Sequence, residues 1–130
     1  MLFGVDCMEY LLSVIIPTKN RQFYCLEAIK EIINVCENRK TYNVEIVIQD
    51  NSDDMDLEQK ISALGHGNIK YHYHAGEVSF VDNFSEAVSL ATGKYLCMIG
   101  DDDGILPTIF DAIKYMENNS VDALPTSIWL

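Results

Sequence analysis

Lys94-Tyr-Leu-Cys-Met-Ile-Gly-Asp-Asp-Asp-Gly104 runs a short apolar segment straight into three consecutive carboxylates and a glycine. Tyr95 to Ile99 reads as a strand covered on both faces, because a continuous apolar run bounded by turn residues suits the interior of a parallel sheet. In open α/β sheets ligands bind just beyond the carboxyl ends of such strands, so Asp101, Asp102 and Asp103 are predicted to line a crevice. Adjacent carboxylates repel one another unless water or a cation screens them, and all-oxygen donors suit hard divalent ions such as Mg²⁺ or Mn²⁺. A solvated acidic turn is the alternative, and a second polar strand end in the same chain favours the crevice.

That second end lies upstream. Val44 to Ile48 reads as a strand that stops at Gln49-Asp50-Asn51-Ser52-Asp53-Asp54, where Asp53 and Asp54 can either cap the following helical segment Leu57 to Leu64 or meet a ligand. Further upstream, Tyr10 to Ile16 is apolar and β-branched and ends at Pro17-Thr18-Lys19-Asn20-Arg21, a first strand and a polar loop. Between these strands Leu26, Ile29, Ile33 and Cys36 recur at three- and four-residue steps, which predicts an amphipathic helix over Gln22 to Glu37. Met1 to Glu9 carries no periodic signal.

Downstream, Ile69 to His74 alternates, with Tyr71 and Tyr73 on one side as packing residues and His72 and His74 on the other. A half-exposed edge strand explains this pattern, and a metal-binding histidine pair is the rival reading. Phe80, Phe84, Ala87, Val88 and Ala91 share one helical face before the Thr92-Gly93 stop. Pro107 suits the first turn of a last helix with Ile109, Ile113 and Met116 as its buried stripe to about Asn118. Val121 to Leu130 returns to apolar character without closing a unit. Strands and helices alternate throughout, so the fold class is α/β with a mainly parallel sheet flanked by helices. Residues 1–130 are read as one domain, truncated at its C-terminus.

The chain's bulk properties narrow the function. A length of 130 residues suits one core, and 48% hydrophobic with 22% charged residues excludes a disordered or collagen-like chain. Nine basic against twenty acidic residues give a net charge of −11, a surface that repels phosphate backbones and anionic lipid. Nucleic acid is therefore excluded as a partner, and a phosphate-bearing ligand needs a bridging cation. Cys7, Cys25, Cys36 and Cys97 are widely spaced and read as buried free thiols rather than a zinc site or disulfide framework. With no signal peptide or spanning segment in view, the expected setting is cytoplasmic, with the full-length protein possible at the inner face of the membrane. P-loop, dinucleotide-fingerprint, EF-hand and nucleophile-elbow patterns all fail.

Three polar strand ends remain: Pro17-Thr18-Lys19-Asn20, Asp50-Asn51-Ser52 and Asp101-Asp102-Asp103. Leu12-Ser-Val-Ile-Ile-Pro-Thr-Lys-Asn-Arg21, Glu45-Ile-Val-Ile-Gln-Asp-Asn-Ser-Asp-Asp54, Asn83, Ala91-Thr-Gly-Lys-Tyr95 and the Asp cluster, in that order, resemble family 2 of the glycosyltransferases. The resemblance implies the Rossmann-like nucleotide-binding half of the A-type glycosyltransferase fold. It also implies an inverting enzyme that moves a sugar from a nucleotide diphosphate donor, a uridine one by preference, to a hydroxyl on a saccharide or lipid-linked acceptor, in glycan or polysaccharide biosynthesis. Carried over by position, it makes Pro17, Thr18, Asn20, Arg21, Asp50, Ser52, Asn83, Asp101 and Asp102 nucleotide-binding. Asp50 would read the base, Asp102 would lie nearer the ribose, and Asp101 and Asp103 of the Asp-x-Asp signature would hold Mn²⁺ or Mg²⁺, with Asp103 the direct ligand. The general base is expected beyond Leu130. Lys19 stands where the family usually has an aromatic, Gln49 where it has a second acid and Asp82 where it has a basic residue. A receiver-like phosphoryl-transfer domain and a non-catalytic nucleotide-binding module remain as alternatives.

Overall fold

The computed structural model describes residues 10–41 and 43–124. The readings placed on Met1 to Glu9, on Cys7 and on residues 125–130 lie outside the described residues. Four strands, β1 (Tyr10–Thr18), β2 (Val44–Asp50), β3 (Ile69–Tyr73) and β4 (Gly93–Met98), alternate with four helices, α1 (Gln22–Asn38), α2 (Asp56–Ser62), α3 (Phe80–Leu90) and α4 (Ile109–Asn119). The strands form one parallel sheet in the order β3-β2-β1-β4. The α/β class and the element order agree with the sequence reading. Both β1 and β2 run two residues further than expected, so Pro17 and Thr18 pair with Gln49 and Asp50 inside the ladder. Their polar side chains are therefore held by sheet geometry rather than by loops.

Side chains alternate across a strand, and the two faces of this sheet are built differently. One face carries Leu12, Val14, Ile16, Val44, Ile46 and Ile48 against α1, α2 and α4. In α1 the buried stripe is Cys25, Ala28, Ile29, Ile32 and Cys36, rotated by about one position from the predicted one, so that Leu26 and Ile33 flank it. The opposite face is smaller: Ile15 and Val47 pack on Ala87 of α3. Here α3 packs mainly on β1 and β2.

That placement corrects two expectations. Tyr95 to Ile99 was predicted to be covered on both faces, yet β4 is an edge strand in which Tyr95 and Cys97, with Ile99 just beyond it, pack against the core while Leu96 and Met98 are 51% and 48% exposed. Phe80 was predicted to join the buried stripe of α3, yet it is 72% exposed and the buried residues are Asn83 and Ala87. The first turn of α3 leaves Phe80 and Val81 72% and 66% exposed and buries Asn83. Its cap is polar instead: Ser79 accepts a hydrogen bond from the Asp82 backbone N–H and donates its hydroxyl to the Asp82 carboxylate, which accounts for an acid at this position.

The Thr92-Gly93 stop has a specific structural cause. Glu45, fully buried on β2, accepts hydrogen bonds from Ser13, from the Thr92 backbone N–H and from the Thr92 hydroxyl, and pairs with Lys70 at 2.9 Å. Burial pushes the Glu45 carboxyl up, but the bonds from Ser13, Thr92 and Lys70 outweigh it and hold its pKa below the usual value. Gly93 crosses directly over Ser13, where a Cβ would lie 2.6 Å from the Ser13 backbone nitrogen. Only glycine lets β4 approach β1 this closely.

Candidate functional site

Strand β1 has β2 on one side and β4 on the other, so the chain reverses its direction of travel across the sheet between them. Beyond the carboxyl ends of two such strands a crevice opens. In this structure it is a cleft of about 960 Å³ bordered by Thr18, Arg21, Asn51, Asn83, Asp101 and Asp103. A smaller cavity of about 350 Å³ at the opposite end of the sheet, near Cys36, His66 and Asn68, contains none of the predicted site residues.

At the reversal the Thr18 hydroxyl donates to Asp101 at 2.9 Å, joining the ends of β1 and β4 across 83 residues of sequence. Asp101 is only 8% exposed, whereas Asp102 and Asp103 are open to solvent. Arg21 bridges the first two carboxylates, with Nε 3.0 Å from Asp101 and a terminal nitrogen 2.6 Å from Asp102. The hydrogen bond to Asp102 and then the charge of Asp101 push the Arg21 pKa further up. Asp103 accepts from the Gly100 backbone N–H at 3.2 Å and meets no cationic partner among the described residues.

The β2 end is organised around Asp50, which is fully buried. One carboxylate oxygen accepts the Ser52 backbone N–H at 2.9 Å and the other accepts the Tyr71 hydroxyl at 2.8 Å. Burial, followed by the hydrogen bond to Asp50, pushes the Tyr71 phenol up, so it remains a donor. Tyr73 donates to the Ser52 carbonyl. The tyrosines, read as packing residues, therefore also buttress the β2 end with their hydroxyls, which alternation alone does not reveal.

Asn20, at a left-handed φ of 55°, ties the β1 and β2 loops together: its backbone N–H donates to Ser52, and its amide exchanges two hydrogen bonds with Asp53. Asp54 accepts the Asp56 backbone N–H and the Gln22 amide, and the first of these leads in holding its carboxyl below the usual range. Of the two acids offered as caps, Asp54 thus serves the start of α2 and Asp53 serves the loop. Pro17, Thr18, Arg21, Asn83, Asp101 and Asp103 border the cleft, while Asn20, Asp50 and Ser52 form the framework behind it. Asp102 sits at the rim through Arg21.

Asn51, read from the sequence only as part of the polar strand end Asp50-Asn51-Ser52, has a role of its own. Its amide nitrogen donates to the carbonyls of His74 and Gly76 at 2.8 and 2.6 Å, pinning the β3–α3 connection. Its amide oxygen, like that of Asn83, is buried with no hydrogen-bond donor among the described residues. An unpartnered buried acceptor costs about 1–3 kcal/mol, and two of them border one cleft. The predicted histidines are occupied elsewhere: His72 meets Gln49 and His74 meets Glu86, each at 2.9 Å, on the α3 side of the sheet. Gln49 in turn donates to Glu86, so the amide that replaces an expected acid completes a local network.

Of the thiols, Cys25 is fully buried and pushed up to about 12, by burial first and then by the charges of Asp101 and Asp50. Cys36 is also buried, and Cys97 is half-buried rather than buried as expected. No group of three or more His, Cys, Asp or Glu side chains among the described residues forms a cage for a metal ion. The donors at the β4 end are nonetheless all hard oxygens. They fit Mg²⁺ or Mn²⁺, which are commonly held by one or two carboxylates together with a ligand's phosphates.

Four parallel strands with flanking helices and a polar cleft at the strand-order reversal define the Rossmann-like architecture of the A-type glycosyltransferase fold. The chain belongs to glycosyl transferase family 2, whose sequence profile matches residues 13–128. It is 33% identical over 100 residues to the abequosyltransferase RfbV of Salmonella typhimurium, covering 73% of this chain and 29% of that protein. It is 32% identical over 100 residues to the putative colanic acid biosynthesis glycosyl transferase WcaA of Escherichia coli, covering 75% and 34%. The chain thus spans about a third of the length of these curated relatives. Among solved structures it is similar to S. aureus TarS 1–349, with a TM-score of 0.65 and 20% identity over 90% of this chain and 38% of that one. It is also similar to the same protein in complex with UDP, with a TM-score of 0.62 and 23% identity over 84% and 32%. At these identities the structural likeness establishes the fold.

Proposed function

We propose that this chain is the donor-binding part of an inverting glycosyltransferase that takes a nucleotide diphosphate sugar, a UDP-sugar by preference, and passes the sugar to a hydroxyl acceptor. The observation that carries the reading is the Thr18–Asp101 hydrogen bond, which draws the ends of β1 and β4 together beside Arg21 in a cleft large enough for a nucleotide. The names of RfbV, an abequosyltransferase, and WcaA, a putative colanic acid biosynthesis glycosyl transferase, support a role in glycan or polysaccharide biosynthesis with a saccharide or lipid-linked acceptor. We assign the protein to the cytoplasm or the inner face of the membrane, noting that no helix among the described residues is long and apolar enough to cross a membrane.

In this reading Thr18, Arg21, Asn83 and Asp101 contact the nucleotide, while Asp50, with Asn20 and Ser52, sets the base end of the cleft. Asp102 faces the ribose. Asp103, with Asp101, would hold Mn²⁺ or Mg²⁺. When bound, that ion acts as a Lewis acid and stabilises charge building on the departing β-phosphate. The bond from the anomeric carbon to the phosphate oxygen breaks as a bond to the acceptor oxygen forms on the opposite face. The acceptor's proton passes to a carboxylate general base, which we place in the acceptor-binding half beyond Leu130. Asp101, held by Thr18, contributes position rather than proton transfer.

Calorimetric titration with UDP and Mn²⁺ tests the proposal. Binding is expected for the parent, with a loss of about tenfold or more for Asp103→Ala, because one of few carboxylate anchors is removed. No heat with the parent, or equal heat with Asp103→Ala, would overturn it.

A further inference from the structure

Arg21 is the residue whose geometry goes beyond this reading. It follows Asn20, whose backbone N–H is bonded to Ser52 and whose amide is bonded to Asp53, so the start of the arginine side chain is fixed. From there the guanidinium spans two different carboxylates, 3.0 Å from Asp101 and 2.6 Å from Asp102, and lies 5.2 Å from the centroid of the Tyr24 ring. With Thr18 on its other oxygen, Asp101 has both oxygens engaged by the protein's own donors. Lys19 and Arg21 are the cationic side chains bordering the cleft in a chain of net charge −11.

An ion that is to share Asp101 must therefore meet a guanidinium already there. An incoming diphosphate offers that guanidinium a better-matched partner, because the planar fork of arginine pairs bidentately with phosphate. Asn51 and Asn83, whose amide oxygens are buried with no hydrogen-bond donor among the described residues, border the same cleft.

We propose that Arg21 is an internal counter-ion that occupies the cation's place at Asp101, anchored there by Asp102, and that it exchanges onto the donor's diphosphate when the cation and nucleotide enter. This rests on the reading of the cleft as a diphosphate site. Free divalent ion then binds a site that is only fractionally open, and its apparent affinity is reduced by that fraction. Nucleotide and ion bind with positive coupling that runs through one side chain. Breaking the arginine contact moves the two affinities in opposite directions, which a merely structural surface ion pair does not do.

The test is Mn²⁺ titration of the whole chain, followed by the electron paramagnetic resonance of free Mn²⁺, with and without UDP. The parent is compared with Arg21→Gln and Arg21→Lys, and urea midpoints confirm that each is folded. Without UDP, Arg21→Gln is expected to bind Mn²⁺ about tenfold more tightly, as for a site otherwise open about one-tenth of the time. Arg21→Lys is expected to fall between the two, since lysine keeps the charge but cannot bridge both carboxylates. At saturating Mn²⁺, UDP is expected to bind Arg21→Gln several-fold more weakly than the parent.

Three outcomes overturn the exchange: unchanged Mn²⁺ affinity in Arg21→Gln, parent-like affinity in Arg21→Lys with a gain only in Arg21→Gln, or no Mn²⁺ binding by any of the three. The second would reduce Arg21 to a bulk charge effect. The Mn²⁺ arm contains no nucleotide, so failure of the parent to bind UDP sinks the proposed function while the competition at Asp101 is still read.

Discussion

Strands β2 and β4 flank the same central strand and reverse the usual rule on the face that carries α3. There β2 buries Glu45 and Gln49, whereas β4 exposes Leu96 and Met98. The cause is coverage: α3 lies mainly over β1 and β2 and leaves Leu96 and Met98 of β4 about half exposed. A buried polar group is tolerated where partners surround it, and Glu45 has Ser13, Thr92 and Lys70 while Gln49 has Glu86 and His72. Burial along a strand therefore follows what its neighbours permit rather than the hydropathy of its own residues.

The largest effect should come from breaking the β2 side. Glu45→Ala leaves Ser13, the Thr92 backbone N–H and Lys70 without their shared acceptor, and truncating one member of a buried pair costs about 3–5 kcal/mol. Lys70 is partly exposed and regains water, so the loss should fall toward the lower end, read as a shift in the urea midpoint. The same carboxyl sets a pH limit. Its folded pKa lies below the unfolded one, so its contribution is complete above the ordinary glutamate value of about 4.3 and is lost as pH falls through the folded value. Urea midpoints measured below pH 4.3 should fall with acid in the parent and fall less steeply in Glu45→Gln. Equal slopes would show that Glu45 is not the group responsible.

How much of this was legible in the sequence depends on which force fixed each feature. The alternation of strands and helices was readable because periodicity is local, and the end of β4 was readable because three acids follow an apolar run. Coverage was not. Whether a helix reaches β4 depends on strand order, and nothing within Tyr95 to Ile99 says that β4 lies at the edge. The β2 end was half legible: Asp50 and Ser52 stood out as polar residues at a strand end, but the Tyr71 hydroxyl reaches Asp50 only because β3 pairs beside β2. Asn51 was legible as part of the polar end of β2 but not as a residue with a role of its own. Its unpartnered oxygen appears only in three dimensions.

A medium effect should come from the contact that fixes β4 to β1. Gly93→Ala places a methyl group 2.5 Å from the Ser13 hydroxyl and 2.6 Å from its backbone nitrogen, and backbone cannot rotate away as a side chain can. Overpacking of this kind costs about 1–3 kcal/mol. Displacing β4 should also stretch the Thr18–Asp101 hydrogen bond and weaken nucleotide binding in the same variant. Gly104→Ala is the control on the same side of the cleft, because no atom lies within 4 Å of the added methyl. Equal urea midpoints for the two alanine variants would show that the closeness of β4 to β1 is not a constraint.

The smallest effect is the one that tests the bare face. Leu96→Thr and Met98→Thr keep a β-favouring side chain on β4 and remove apolar surface that is already about half in water, so each should change stability by no more than about 0.5 kcal/mol. Val47→Thr, at the covered position on the same face of β2, places a hydroxyl among Ile15 and Ala87 and should cost about 1–3 kcal/mol unless the hydroxyl finds an acceptor. The contrast between these substitutions measures coverage directly, since the chemistry of the replacement is the same in each. If Leu96→Thr costs as much as Val47→Thr, β4 is covered in solution. Protein concentration then separates the two ways of covering it: a midpoint that rises with concentration indicates a second copy, and a constant one indicates residues of the same chain outside those described.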